Sequence, residues 1–255
     1  MFDRAQWFSA GMSMALSVQL SQPVAAAVPV GKVVQTVQTN SNEAAKKVFE
    51  EAEKLYQPGT ADSKRSAIVK FEQALKLYRE TGDRTQEAVT LNNIGAIYSN
   101  WGEPQKALEY YSQSLPLRRA VGDRRGEAAT LTNIGSAYSK LGEQRKALEY
   151  FGQSLPLSRA MGDRFEEAVT LYSMAYVKRE QNNLTEALND IESSLKIIEN
   201  LRTTTSSSEL PSSYFAKVQE YYKFYVDLLM QLHQANPNSG YDIKASEASE
   251  RAKTR

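Results

Sequence analysis

The chain of 255 residues has no cysteine and a single histidine, His233. Disulfides, thiolate metal sites and thiol nucleophiles are thereby excluded, and a nucleophile–base pair has at most one imidazole to draw on. Neither sign of charge prevails, since 31 basic and 30 acidic residues leave a net charge of +1. A nucleic-acid partner, which needs a basic surface to displace counterions, is not expected. Charge of any sign is missing between Arg4 and Lys32. That stretch runs from Trp7 through Val18 to an Ala-x-Ala site at Ala25, Ala26 and Ala27, the pattern of a secretory signal peptide. Asp3 offsets Arg4, which weakens the basic front end, and Gln19, Gln22 and several serines make the segment too polar for a comfortable membrane span. Three readings stay open: a cleaved signal that sends the protein to the periplasm or outside, a flexible leader of a cytoplasmic protein, and a retained anchor. Residues 1–40 are therefore set apart as signal peptide or leader, and no integral membrane span is expected once a signal is removed. The whole chain is 41% apolar and 24% charged, as fits a folded soluble protein.

The remainder repeats with a period of 40. Residues 82–121 and 122–161 align without a gap, and 26 of their 40 positions are identical. Residues 162–201 keep the frame with more divergence. Upstream, 67–83 repeats the second half of the unit and 43–57 serves as its first half, with about two extra residues in the turn. Within a unit Leu91, Ile94, Gly95 and Tyr98 recur at spacings of three and four, and so do Ala107, Leu108, Tyr111, Ser114 and Leu115. Such spacing places each set on one face of a helix. Two helices per unit follow, with boundaries marked by turn chemistry. Gly82, Gly122 and Gly162 suit the left-handed position that ends a helix. Asp83, Asp123 and Asp163 follow at once as N-caps, and Asp83 with Gln86 and Asp163 with Glu166 have capping-box spacing. Gly102 and Gly142 mark the turn inside the unit, and Pro104 fits the first turn of the second helix. Pro116 and Pro156 lie late in second helices, where a kink or early fraying is expected. Gly95 is expected against Ala107 and Gly135 against Ala147, with Tyr98, Tyr111, Tyr138 and Phe151 filling the space between hairpins.

One hairpin cannot bury its apolar face alone, so three or more must stack. The expected fold is all-α, a right-handed α-solenoid of stacked antiparallel helix hairpins. Four of them span 42–201, as 42–81, 82–121, 122–161 and 162–201. These residues resemble the tetratricopeptide repeat (TPR) family. Its small residue falls at Gly95 and Gly135, its first aromatic at Tyr98 and Tyr138, its alanine at Ala67, Ala107, Ala147 and Ala187, and its second aromatic at Phe71, Tyr111 and Phe151. The 40-residue period and the GDR start look like the variant found in kinesin light chains. Departures cluster in the last unit, with Ala175, Lys178 and Ile191 at the small, aromatic and second aromatic positions.

Residues 202–213 read as a polar loop that begins near Leu201. From Tyr214 to Gln234 a stripe at 214, 218, 221, 222, 225, 229 and 232 marks another helix, and helix resumes at Asp242 after the break at 236–240. The segment 214–255 is thus a further helical hairpin, and its open end suggests a piece of something longer. Asp227 to Gln234 and Ala248 to Ala252 resemble the junction in bacterial, notably cyanobacterial, TPR proteins that leads into a caspase-like CHAT peptidase domain. The resemblance implies a catalytic domain outside this chain, for which these repeats would regulate or recruit substrate. The aromatic stripe at 214–229 is also a candidate for self-assembly into homo-oligomers.

No catalytic constellation is present, so the chain is not expected to be an enzyme, and no cofactor or metal is expected. His233 sits at a helix C-terminus, a position the helix dipole favours for it. Asp190, Glu192, Glu166 and Glu167 read as solvated faces. A binding surface is the better expectation. The resemblance implies that first helices line a groove that takes a protein or peptide partner. Asn93 and Asn133, forty residues apart, would form a ladder there, since an Asn amide both donates and accepts and so suits an extended backbone. Asn92, Asn100, Thr132, Ser136, Lys140, Tyr172 and Tyr176 complete the expected groove.

Overall fold

A computed structural model of the chain describes residues 30–57, 59–205 and 214–253, with side chains from residue 41 onward except that of Phe215, and every structural statement concerns these. The chain divides into two compact units, residues 1–37 and 38–255. Of the first, only the opening turns of α1 fall among the described residues; the candidate signal segment lies outside them. The second unit holds the repeats. The described helices are α1 (Val30–Tyr56), α2 (Ala61–Thr81), α3 (Arg84–Asn100), α4 (Pro104–Val121), α5 (Arg124–Lys140), α6 (Gln144–Ala160), α7 (Arg164–Glu180), α8 (Leu184–Thr204), α9 (Tyr214–Ala235) and α10 (Tyr241–Lys253), with one 3₁₀ turn at Pro237–Ser239. No strand occurs among the described residues. Successive helices pair as hairpins, each packed on the next, and the first helices α3, α5 and α7 also touch one another along one face. The result is the expected α-solenoid, with the 214–253 hairpin as its fifth layer. No described helix is long and apolar enough to cross a membrane.

The helix ends follow from the repeated Gly-Asp pair. Gly82, Gly122 and Gly162 adopt φ of 73°, 72° and 65°. This lets the N–H of the next aspartate reach back to Tyr78, Arg118 and Ser158 carbonyls at 2.9–3.0 Å. The same aspartates turn their carboxylates forward and accept from the N–H of Gln86, Gly126 and Glu166 at 2.8–3.1 Å. One residue so closes one helix and opens the next, a cap of about 1 kcal/mol each. The expected capping boxes are only half formed. The aspartate N–H is already spent on the preceding helix, so Gln86 and Glu166 have no donor to return to. In the fourth hairpin Asn182 takes the left-handed turn position with φ 61°, where Gly102 and Gly142 stand in the earlier two.

Packing inside each hairpin turns on a matched pair, and its second member differs from expectation. A Cβ on Gly95 would lie 2.6 Å from the ring of Tyr111, and one on Gly135 would lie 2.5 Å from the ring of Phe151. The glycines make room for the aromatic of the facing helix rather than for Ala107 and Ala147. The fourth hairpin holds Ala175 and Ile191 at these positions, both fully buried, a larger first member against a smaller second. A second pair is exchanged in the same way. Tyr98 stacks on Tyr110 and Tyr138 on Tyr150 at 5.5 and 5.4 Å. Lys178 and Asp190 replace that stack with an ion pair of 2.7 Å. The departures of the last repeat are thus concerted. A third device is constant: buried Ser114, Ser154 and Ser194 donate to the Ala88, Ala128 and Ala168 carbonyls at 2.7–2.9 Å, tying second helix to first.

Several expected boundaries shift. Helix α1 begins at Val30, inside the segment assigned to the leader. Helix α8 continues to Thr204, so the stretch from Leu201 opens as a helical turn, and 206–213 lies outside the described residues. Helix α10 starts at Tyr241. Pro116 and Pro156 do not end their helices, which run on to Val121 and Ala160. Both rings face solvent, and buried neighbours on either side, Ser114 with Arg118 and Ser154 with Ser158, hold the helix to its layer. The aromatic stripe of α9 is spent within the chain. Tyr214, Val218, Tyr221, Tyr222 and Leu229 are buried in one cluster with α7, α8 and α10, so the stripe offers no free face for self-assembly.

Candidate functional site

The first-helix face is built from three positions per repeat, and the structure sorts the expected groove residues by what each already touches. The position of Asn92, Thr132 and Tyr172 points forward to the next layer. Asn92 Oδ1 accepts from Thr130 Oγ1 at 3.3 Å and from Asn133 Nδ2 at 3.1 Å. Thr132 is only 3% exposed, with its hydroxyl against Ser154 and Thr170, so it belongs to the core and not to the groove. Tyr172 stacks on Tyr221 at 4.2 Å and donates to Glu220 at 2.9 Å; α9 occupies the side of the ring a ligand would have used. Burial and the Glu220 carboxylate push the Tyr172 phenol well above its usual 10. Thr132 and Tyr172 are thus corrected from groove to interlayer residues. Nothing in the spacing could separate their repeat position from that of Asn93, one residue further along the unit, because both face the polar side of a first helix until the next layer is added.

The remaining positions point backward or outward. Asn100 donates to Tyr56 Oη at 2.8 Å, and Lys140 Nζ donates to the carbonyl and hydroxyl of Ser99 at 2.8 and 2.9 Å. Each joins its own layer to the one before. Desolvation lowers the Lys140 pKa from its usual 10.5. Tyr176 stays exposed, beside Phe224 at 6.2 Å, with the Arg179 guanidinium 5.5 Å from its ring. Asn93 and Ser136 are half-buried and have no hydrogen-bond partner among the described residues.

The side-chain bond between the two layers runs from Asn133 to Asn92 and not to Asn93. Asn133 spends one N–H on Asn92 and keeps one N–H and its oxygen, Asn92 keeps both N–H groups, and Lys140 keeps its third. With Asn93 and Ser136 these groups form a band across α3 and α5 that can donate and accept at once. Such a band suits peptide amides, whose N–H and C=O groups must both be met.

The carboxylates expected on solvated faces are a further correction. Glu167 is 4% exposed and receives hydrogen bonds from Arg159 and Arg164, and Glu127 is held in the same way by Arg119 and Arg124. Asp190 pairs with Lys178. Glu166 Oε1 is sealed from solvent without a partner. Arg124 and Arg164 lie three residues before their glutamates on the same helix, whereas Arg119 and Arg159 come from the preceding helix, a contact that no local pattern announced. Among the described residues no group of three or more His, Asp or Glu side chains could hold a metal ion. His233 lies 3.6 Å from Asp242 across the α9–α10 turn, away from the polar band.

Stacked helical hairpins with first helices side by side define an α-solenoid of helix-hairpin repeats. Residues 65–120 and 102–160 match the family model described as tetratricopeptide repeat. No curated protein matches the chain in sequence. Solved structures share the fold. BtubC (BKLC) from P. vanneervenii is 17% identical with a TM-score of 0.58, covering 85% of this chain and 90% of that one. A kinesin light chain-like protein of Podosopora anserina with nearly identical TPR-like repeats is 18% identical with a TM-score of 0.57, covering 84% and 95%. Aspartyl phosphate phosphatase F from Bacillus subtilis is 13% identical with a TM-score of 0.65, covering 87% of this chain and 55% of that one. At these identities the likeness concerns the fold alone.

Proposed function

We propose that the chain is a non-enzymatic protein-interaction scaffold whose first-helix face holds an extended peptide segment of a partner protein. The observation that carries this reading is the band of uncommitted amide and hydroxyl groups from Asn93 to Ser136, on the face where successive repeats align. A similar fold, the Rap protein, has been solved in complex with the Competence and Sporulation Factor, with a TM-score of 0.61 and 14% identity. That complex supports the reading only in showing that the architecture accommodates a ligand.

Asn93 and Ser136 are the residues to test, because neither makes an internal hydrogen bond that its loss would break. Peptides selected on the wild-type protein from a random displayed library supply the probe. Asn93→Ala with Ser136→Ala should weaken a selected peptide about 5–150-fold, since each hydrogen bond contributes about 0.5–1.5 kcal/mol. Unchanged affinity in the folded double variant, or a library that yields no binder, would remove this face from the account.

A second reading draws on the resemblance of Asp227–Gln234 and Ala248–Ala252 to the junction before a CHAT peptidase domain. In it, the same face recruits substrate for a catalytic domain outside this chain, in a secreted or periplasmic protein. Sequencing the mature N-terminus of the native protein checks the compartment: a start at Met1 would count against export. The presence or absence of a Cys–His peptidase domain in the native gene product checks the rest.

A further inference from the structure

The junction of the third and fourth hairpins contains a buried hydroxyl cluster with fewer hydrogens than contacts. Thr132 Oγ1 on α5 lies 2.8 Å from Ser154 Oγ on α6 and 3.0 Å from Thr170 Oγ1 on α7. Ser154 donates its hydrogen to the Ala128 carbonyl at 2.9 Å, and Thr170 donates its own to the Glu166 carbonyl at 2.9 Å. Each hydroxyl owns one hydrogen. Only that of Thr132 remains, and it faces Ser154, Thr170, the Ala128 carbonyl at 3.2 Å and the side chain of Glu166. One hydrogen cannot serve four acceptors. Beside the cluster, Glu166 Oε1 and Tyr221 Oη, the latter from α9, are both sealed from solvent without a partner. The Tyr221 hydroxyl makes no bond to Oε1, so a deprotonated carboxylate at that place would be buried with this oxygen lacking a donor.

We propose that Glu166 carries the missing hydrogen: held as the neutral acid, it donates to Thr132 and fastens the fourth hairpin to the third, and its ionisation loosens that junction. Burial, the largest influence, pushes its carboxyl above the usual 4.5, and Asp163 acts in the same sense. The Thr132 hydrogen bond, Lys217 of α9 and Arg125 of α5 oppose the shift. Arg125 is itself engaged by Asp163 at 2.6 Å. The other charges on the surrounding helices are spent elsewhere: Glu167 on Arg159 and Arg164, and Glu220 on Tyr172. The weak attraction of a helix N-terminus for an anion does not replace the donors that Oε1 lacks. The repeat supplies its own comparison. At the same position the second hairpin has Gln86 and the third has Gly126, whose side-chain space is filled by Arg118. Neither can ionise, so the device occurs once in the described repeats.

The sign is set by the raised folded pKa. The stabilisation is complete below the unfolded value near 4.5 and is lost as pH rises through the folded one. It opposes Glu51, Asp123 and Glu127, whose carboxyls are lowered and which lose stability in acid. The experiment is thermal unfolding of the full chain between pH 5 and 9, for the wild type and Glu166→Gln. The glutamine keeps a donor at every pH. The two midpoints should agree within a degree or so at pH 5, and the variant should exceed the wild type by roughly 3 °C or more at pH 9. Equal offsets at both ends, or a wild type that gains on the variant as pH rises, would overturn the proposal. An infrared measurement keeps it testable if the variant fails to fold: the wild type at neutral pH should show a protonated-carboxyl stretch that disappears at high pH. A wild-type spectrum with no such band is the second overturning result.

Discussion

At Gly135 the hairpin has no room for one more carbon. Alanine would gain up to about 1 kcal/mol of helix propensity over glycine. Its Cβ would stand 2.5 Å from the ring of Phe151, which is fully buried and cannot swing aside. Overpacking a core costs about 1–3 kcal/mol, so the clash wins. Gly135→Ala is expected to lower stability by about 1–2 kcal/mol in urea unfolding, and by less in a Phe151→Ile background, since the fourth hairpin already combines alanine with isoleucine. Additive losses in that double-mutant cycle would show that the two positions do not compensate. Part of this was legible in the residues alone. The small residue at 95 and 135 announced close helix packing, but its partner did not. Ala107 and Tyr111 lie one turn apart on the same face of α4, and only the axial offset of the hairpin decides which of them meets the glycine.

Between elements, the ends of helices were legible and the contacts between layers were not. A cap is local, so Gly-Asp at forty-residue spacing placed the α2–α3, α4–α5 and α6–α7 junctions. Glu127 illustrates the other case. It sits in the first turn of α5 yet is buried by Arg119 of α4 at 2.7 Å and Arg124 at 2.9 Å. Burial alone would raise its carboxyl, and the two arginine hydrogen bonds more than reverse that, leaving it below the usual 4.5. Its stabilisation is therefore present above about 4.5 and lost as pH falls through the lowered value. Glu127→Ala leaves two arginines facing one another with no acceptor. Removing one partner of a buried pair costs about 3–5 kcal/mol. Both guanidinium groups here are roughly half exposed, which puts the expected loss nearer 2 kcal/mol. Chemical denaturation at pH 7 and pH 3.5 checks both parts. The difference between wild type and variant should shrink in acid, and a difference that stays constant would mean that packing, not charge, is what the glutamate provides.

Across the molecule, the layers are unequal in what they bury. The largest apolar cluster lies at the C-terminal end, where Leu171, Ile191, Leu195 and Ile198 of the fourth hairpin meet Tyr214, Tyr221, Leu228 and Leu229 of the fifth. The period of 40 disclosed the layers, but the fifth carries only a stripe and no repeat signature, and its role as a cover for α7 and α8 appears only in the packing. Each large side chain buried there stabilises the array by about 1.5–3 kcal/mol. A folded domain has only about 5–15 kcal/mol in hand, so uncovering this face removes a large share of it. In a solenoid the loss stays local, because a layer contacts only its neighbours. Deleting residues 206–255 is accordingly expected to melt the fourth hairpin while the second and third persist. Hydrogen exchange should then show α7 and α8 fast and α3 to α6 still protected, and circular dichroism should lose more helix than the deleted segment contained. Uniform protection from α3 to α8 in the shortened chain would mean that the fourth hairpin needs no cover. The fifth layer would then be free to take another role.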